Sequence, residues 1–439
     1  MSPSVQLGIA SRRYSPPSRG GAALDRVLLT SLILLLIFGP LAFGAVEPWS
    51  IFVLQIGSCV LFLLWATRQL LSGSFQVRPN PLYAPMIGFA ALIAAQILLR
   101  LTAYQYATVQ EALLYACYGT LFFITVQVFR TEDQFRWLAI SLATFGFGLA
   151  VFAIIQNLSG AQSIYWLVKP RQGGWIFGPY VNHNHYAGLM ELLIPIPLAL
   201  GLTRWLEGPK RIVALFASLV MAASIVLSQS RGGMLALAVQ VLFLLLVALR
   251  RQNLLRGGLY FVASGLLLVG FLAWIGNGHL LDRVGDLQDG GRLTMAKDSL
   301  RMFARRPIAG WGLHVFPTVY PQFRSLYTNL FVNEAHNDYA QLLVETGVLG
   351  FGLMLWFVVS LYRHAVSHLG HWKVSTGATM RLAALVGCTG ILVHSALDFN
   401  LHIPANAALF YVMCAVATAS LGTTAPSLSR GSRVTVQQR

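Results

Sequence analysis

About twelve apolar runs divide the chain, each close to the length that crosses a lipid bilayer, and no other feature restricts the possible folds as strongly. A helical span needs about 20 predominantly apolar residues. The runs lie near 27–46, 49–71, 81–99, 108–129 and 135–158, then 185–206, 212–230, 232–249 and 258–278, then 346–364, 380–399 and 404–422. Inside hydrocarbon every backbone polar group must be satisfied within the protein, so only helices and closed barrels cross. The alternating pattern of barrel strands is absent. The sequence therefore predicts an all-α fold, a polytopic transmembrane helical bundle of about 12 spans, in contact with the lipid bilayer.

Charge excludes several function classes. Only 10% of the residues are charged, where a soluble chain carries about 25%. The net charge of +16 raises the question of nucleic acid. The basic residues are instead spread over short connections, as the positive-inside rule requires, so no nucleic acid is expected. Cys59, Cys117, Cys388 and Cys414 all lie in apolar runs, which suits small buried hydrophobes better than a disulfide framework or zinc site. Walker, CxxC, HExxH and GxSxG patterns are missing, so ATP-driven transport and zinc hydrolysis gain no support.

An orientation follows from the same basic residues. With the N-terminus in the cytoplasm, Arg68, Arg78, Arg130, Arg136, Lys210, Arg211, Arg250, Arg251, Arg363 and Lys373 all fall inside. Residues 1–26 then form a basic cytoplasmic tail, 27–422 the membrane domain and 423–439 a second cytoplasmic tail. Two long segments, 159–184 and 278–345, face outward, the larger between spans 9 and 10. The larger one is basic. Anionic lipid headgroups would account for that, and so would an anionic substrate.

The outward polar residues could carry chemistry. His336-Asn337-Asp338 comes first. A histidine can take a proton from a hydroxyl near neutral pH; the plainer reading makes Asn337 or Asp338 a helix cap. Arg231 sits in SQSRGG where two apolar runs nearly touch. A charge so close to hydrocarbon suggests function, with snorkelling to the interface as the alternative. Lys169 and Arg171 precede GPYVNHNHYAG with His183 and His185, a composition that suits sugar and phosphate contacts and equally an interfacial aromatic belt. His183 and His185 lack a third metal ligand at a fixed spacing, so no metal is expected. Glu191 lies inside the sixth run, where it could pair with a basic group. His394 and Asp398 are one helical turn apart, where Asp398 could orient His394, pair with an arginine or join helices structurally.

In order and membrane side these motifs resemble those of the O-antigen ligase and O-antigen polymerase family. They are Ser230-Arg231, the run from Pro307 to Gly310-Trp311-Gly312, His336-Asn337-Asp338-Tyr339, and Glu345-Thr346-Gly347-Val348-Leu349-Gly350. The resemblance covers about 170–400 and leaves the first five runs to topology alone. It implies a membrane glycosyltransferase of the bacterial inner membrane, with its active face periplasmic and both termini cytoplasmic. The donor would be an undecaprenyl-diphosphate-linked glycan and the acceptor a hydroxyl on a glycan, lipid A core or protein. Transfer would be inverting and need no cofactor or metal. By matching position His336 becomes the base and Arg231 a diphosphate ligand. Arg171 and Arg292 are weaker ligands by position, with Lys169, His183, His185, Asn337 and Asp398 at the same site. The central loop is richer in histidine than the family pattern, which leaves His183 or His185 as a second base. A secondary transporter for a small anion is the competing class, but no repeat relates the two halves of the chain and the polar residues gather on one side. A structural part in an export complex would explain the hydrophobicity and not Arg231 beside two glycines.

Overall fold

The computed structural model describes residues 19–73, 75–170, 174–203, 206–249, 287–325 and 331–420. These form helices α1 (Arg19–Leu41), α2 (Pro48–Leu71), α3 (Tyr83–Leu98), α4 (Gln105–Val128), α5 (Glu132–Leu158), α6 (His183–Leu193), α7 (Pro195–Gly201), α8 (Pro209–Ser228) and α9 (Arg231–Leu249). They continue with α10 (Leu287–Arg305), α11 (Asp338–Ser367), α12 (Thr376–His394) and α13 (Pro404–Ala417). Among the described residues, 7 helices are long and apolar enough to cross a membrane, and α3, α9 and α13 are shorter apolar helices. The sixth apolar run is covered by α6 and α7, divided at Pro195, which removes a helical hydrogen bond there. The expected span at 258–278 lies outside the described residues, and the count of twelve rests on it. Helix α1 begins at Arg19, so the end of the expected N-terminal tail is already helical.

Local sequence sets the helix ends. Thr131 and Gln134 form a reciprocal capping box on α5, Asn182 caps α6, Asn337 caps α11 and Ser375 caps α12. Each side chain satisfies an amide that the first turn leaves unpaired. Helix α12 is the axis of the bundle. Its apolar window is 78% buried, against 28–44% for the other six long helices, and it packs on α6, α7, α9 and α13. The side chains left outside on the other helices, such as Leu63, Ile87, Trp137 and Leu219, suit a lipid surround.

The two ends of the bundle differ chemically. At one end arginines tie connections together: Arg78 donates to the Phe129 carbonyl at 2.8 Å and to the Ser420 carbonyl at 2.9 Å. Arg381 donates to the Ala419 carbonyl at 3.2 Å. The opposite end collects the starts of α6, α9, α11 and α13 and the end of α12. This is the end that carries His336, Asp398 and Arg231.

A cap covers part of that second end. Met302 of α10 packs with Val315, Phe316, Val319, Tyr320, Ala335 and Val344 in a small core separate from the main one. Buried Asp298 anchors the cap by accepting from the Ser325 amide at 3.0 Å and hydroxyl at 2.8 Å. Part of the segment's positive charge serves the cap itself. Arg301 pairs with Asp298. Arg306 lies 4.3 Å over the Trp311 ring and donates to the Leu101 carbonyl at 2.8 Å.

The cap is joined to the bundle where two glycine motifs interlock. Gly347 interrupts α11 with φ 64°, a left-handed conformation open to glycine at little cost. There the chain runs backbone to backbone against 307–312. Val348 donates to the Pro307 carbonyl at 2.8 Å, Gly312 to the Glu345 carbonyl at 2.9 Å and Trp311 to the Val344 carbonyl at 3.1 Å. A Cβ on Gly347 would strike the Ile308 carbonyl, and one on Gly310 would strike the Glu345 backbone. The buried Glu345 carboxylate completes the joint by accepting from the His314 amide at 2.7 Å and the Phe316 amide at 3.1 Å. The Pro307–Gly312 and Glu345–Gly350 motifs are thus two halves of one structural clasp.

Candidate active site

His336 lies in the turn just before α11, with φ 52°. A non-glycine residue in this region stores roughly 1–3 kcal/mol and persists only where its surroundings hold it. The holding contacts are present. On its C-terminal side Asn337 accepts from the Ala340 amide at 2.9 Å and donates to the Ala396 carbonyl at 2.8 Å. The Asp338 amide donates to the Ser395 carbonyl at 2.9 Å. On its N-terminal side the Ala335 amide donates to Gln341 Oε1 at 2.8 Å. The imidazole projects from this fixed turn with its side chain 33% exposed, and Nδ1 lies 3.4 Å from Asp398 Oδ1.

Asp398 is 1% exposed and well supplied with donors. Its Oδ2 accepts from Asn184 Nδ2 at 2.6 Å and its Oδ1 from the Phe399 amide at 2.9 Å. Burial alone would raise its pKa. The hydrogen bond from His336, the nearby imidazoles of His185 and His336, and the Phe399 N–H outweigh burial and hold the carboxyl well below the usual carboxylate range. Asp398 is therefore a carboxylate in direct contact with an accessible imidazole. Its carboxylate contacts His336, and its backbone amide donates to the His394 carbonyl at 3.0 Å.

The histidines of the central loop go elsewhere. His185 is buried, edge-on to Phe399 at 4.6 Å, with Nε2 3.3 Å from Asn182 Nδ2. Phe399 also meets His336 edge-on at 5.0 Å, so this ring stands between the two imidazoles. His183 stacks on the exposed Trp175 ring at 4.8 Å, and its Nδ1 lies 2.6 Å from the Ser228 carbonyl. That contact joins the start of α6 to the turn leading to Arg231. Gln229 in this turn is left-handed at φ 58°, and Ser230 Oγ accepts from the Gly233 amide at 3.1 Å. Arg231 follows as the exposed first residue of α9. Among the described residues no three or more His, Cys, Asp or Glu side chains converge as metal ligands.

Other assignments part from this cluster. Lys169 is exposed, just after the turn in which Ile164 pairs with Val168, and no contact among the described residues brings it to His336. Arg171 lies outside the described residues, and so does the side chain of Arg292 on α10. Asn337 is engaged as a cap, as the plainer sequence reading has it.

Two neighbours escaped the sequence reading, while Asn184, which lies within GPYVNHNHYAG, was noted without its bond to Asp398. Phe399 is distant in sequence from His336, and its residue type signals no role. His402 is the second: its Nδ1 lies 2.6 Å from Asp338 Oδ1. Burial would lower its pKa, but the carboxylates of Glu334, Asp338 and Glu345 push it up to about 10. Its signal was present, a histidine four residues after an outward acid, but no local rule names its partner.

Residues 216–355 match the family model described as O-antigen ligase. The matched segment contains Arg231, both halves of the glycine clasp and His336, so the resemblance read from these motifs is borne out there. No curated protein matches the chain.

Proposed function

We propose that this chain, carrying the O-antigen ligase family's segment, transfers a glycan from undecaprenyl diphosphate to an acceptor hydroxyl at the periplasmic face of the bacterial inner membrane. The observation that carries this reading is the accessible His336 imidazole backed by buried, ionised Asp398. With its proton on Nδ1 towards Asp398, the ring keeps the Nε2 lone pair free to accept a proton. The 3.4 Å separation is long for a hydrogen bond, and such contacts commonly tighten when substrate binds.

The acceptor oxygen attacks the anomeric carbon of the donor sugar as its proton passes to Nε2. The bond from that carbon to the diphosphate oxygen breaks, and the diphosphate leaves with the electron pair. A single displacement from the opposite face inverts the anomeric centre. No second energy source is required, since the departing diphosphate supplies the driving force. Arg231 binds that group, because a guanidinium stays charged and grips phosphate oxygens in pairs. Exposed Trp175, stacked on His183, offers an apolar face to a sugar ring. A bundle of about twelve spans with both termini cytoplasmic accords with the basic connections at the opposite end.

Purified His336→Ala protein should bind carrier-linked glycan and transfer it about 10²–10⁴-fold more slowly. Activity within a few-fold of the parent, per folded molecule, would remove His336 from the base role.

A further inference from the structure

One buried acid–histidine pair lies outside the chemistry above. Glu191 of α6 is 0% exposed and His394, the last residue of α12, 1% exposed. Glu191 Oε1 lies 2.7 Å from His394 Nδ1. Burying such a pair is costly, and interior packing alone could be achieved by apolar residues of similar volume.

The surroundings suggest its use. The other edge of the His394 ring faces the first turn of α9. A Cβ on Gly232 would come within 2.5 Å of both Cδ2 and Nε2 of His394, so the helix start approaches the imidazole as only glycine permits. Gly232 follows Arg231 directly. The His394 carbonyl meanwhile accepts from the amides of Leu397 at 2.8 Å and Asp398 at 3.0 Å. A single residue therefore abuts the helix start that carries Arg231 and begins the turn that carries Asp398. Deeper in the bundle Gln240 of α9 donates to the Glu191 carbonyl at 2.7 Å and the Val386 carbonyl at 3.1 Å, which fixes the three helices in register beneath the pair.

We propose that Glu191 and His394 are positioning residues: Glu191 holds the His394 ring against Gly232, and this sets the placement of Arg231 relative to His336 and Asp398. The proposal rests on Arg231 being the diphosphate ligand. It gives the pair no proton-transfer step and no contact with substrate.

The test measures affinity for undecaprenyl diphosphate in nanodiscs, apart from turnover, for His394→Phe, Gly232→Ala, their double variant and Arg231→Ala. His394→Phe keeps a ring but loses the bond to Glu191; Gly232→Ala pushes the ring away. Each should weaken lipid diphosphate binding about 10-fold with acceptor KM unchanged, and the double variant should bind no worse than the weaker single, since both interrupt the same chain of contacts from Glu191 through His394 to Gly232. Binding within twofold of the parent for either single variant overturns the proposal. So do multiplied losses in the double variant, or equal rises in acceptor KM. Failure of both single variants to yield monodisperse protein also overturns it, because the pair would then serve folding. Normal binding by Arg231→Ala would instead refute the underlying assignment of Arg231.

Discussion

Asp398→Asn separates the charge of Asp398 from its shape. The side chain has two oxygens with different donors. Oδ1 receives the Phe399 amide and faces His336, while Oδ2 receives Asn184. An amide supplies only one acceptor atom. If its oxygen takes the Oδ1 position, its NH2 meets the NH2 of Asn184. If it takes the Oδ2 position, the NH2 meets both the Phe399 N–H and the His336 ring, and the ring must move its proton to Nε2. Loss of charge from a hydrogen bond costs about 1–1.5 kcal/mol, or about tenfold in rate. The wrong tautomer costs up to about 10⁴-fold. We expect kcat to fall at least about 100-fold, between these limits. The conflict with Asn184 provides a rescue. In Asp398→Asn/Asn184→Asp the new carboxylate accepts from the amide NH2, the amide oxygen stays on the Phe399 and His336 side, and the correct tautomer returns. Kcat should recover to within about 10–30-fold of the parent, the residue of the lost charge-assisted bond. The assay is transfer of a fluorescent lipid-linked glycan to acceptor by purified protein, with melting temperature checking the fold. A single variant within threefold of the parent, or a double variant no better than the single, would refute the orienting role of Asp398.

Arg231→Lys keeps the charge and loses the planar fork, and should lose most transfer activity; full activity would leave snorkelling as the role of Arg231. Gly347→Ala forces an L side chain into φ 64° against the Ile308 carbonyl, and should cost more than about 2 kcal/mol, read as a lower melting temperature and faster proteolysis of 309–335. His402 should make stability depend on pH. Its folded pKa of about 10 lies above the unfolded value of about 6.5, so its contribution is complete below about 6.5 and is lost as pH rises towards 10. The parent should melt at progressively lower temperature across that window, and His402→Gln should show a flatter profile; parallel profiles would reject the pairing with Asp338.

The bundle was largely legible because bilayer length and apolar runs are local properties. The eleven apolar runs other than 258–278 each coincide with a helix or, for α6 and α7, a broken pair. Helix α11 begins at Asp338, eight residues before the predicted span, at the start the cap reading of Asn337 or Asp338 had offered. His336 and Asn337 were legible as a motif, and the plainer reading of that motif already offered Asn337 as the cap of the helix that follows. Asp398 was named without its partner, since the contact to His336 spans 62 residues and no periodicity links the end of one helix to the start of another. Glu345 was visible only as a letter before two glycines; its work depends on backbone amides of a loop some thirty residues earlier. The Glu191–His394 pair was half legible. A buried acid could pair with a basic group, but only the fold identifies it.

The glycine clasp limits how such proteins can be recombined. The cap and the span below it share a seam of backbone hydrogen bonds, with one face supplied by 307–312 and the other by 345–350. A loop transplanted from a relative would arrive without its matching face if the exchange stopped short of the second motif. Crossover points for chimeras therefore belong before Pro307 and after Gly350, so that both faces of the seam travel together.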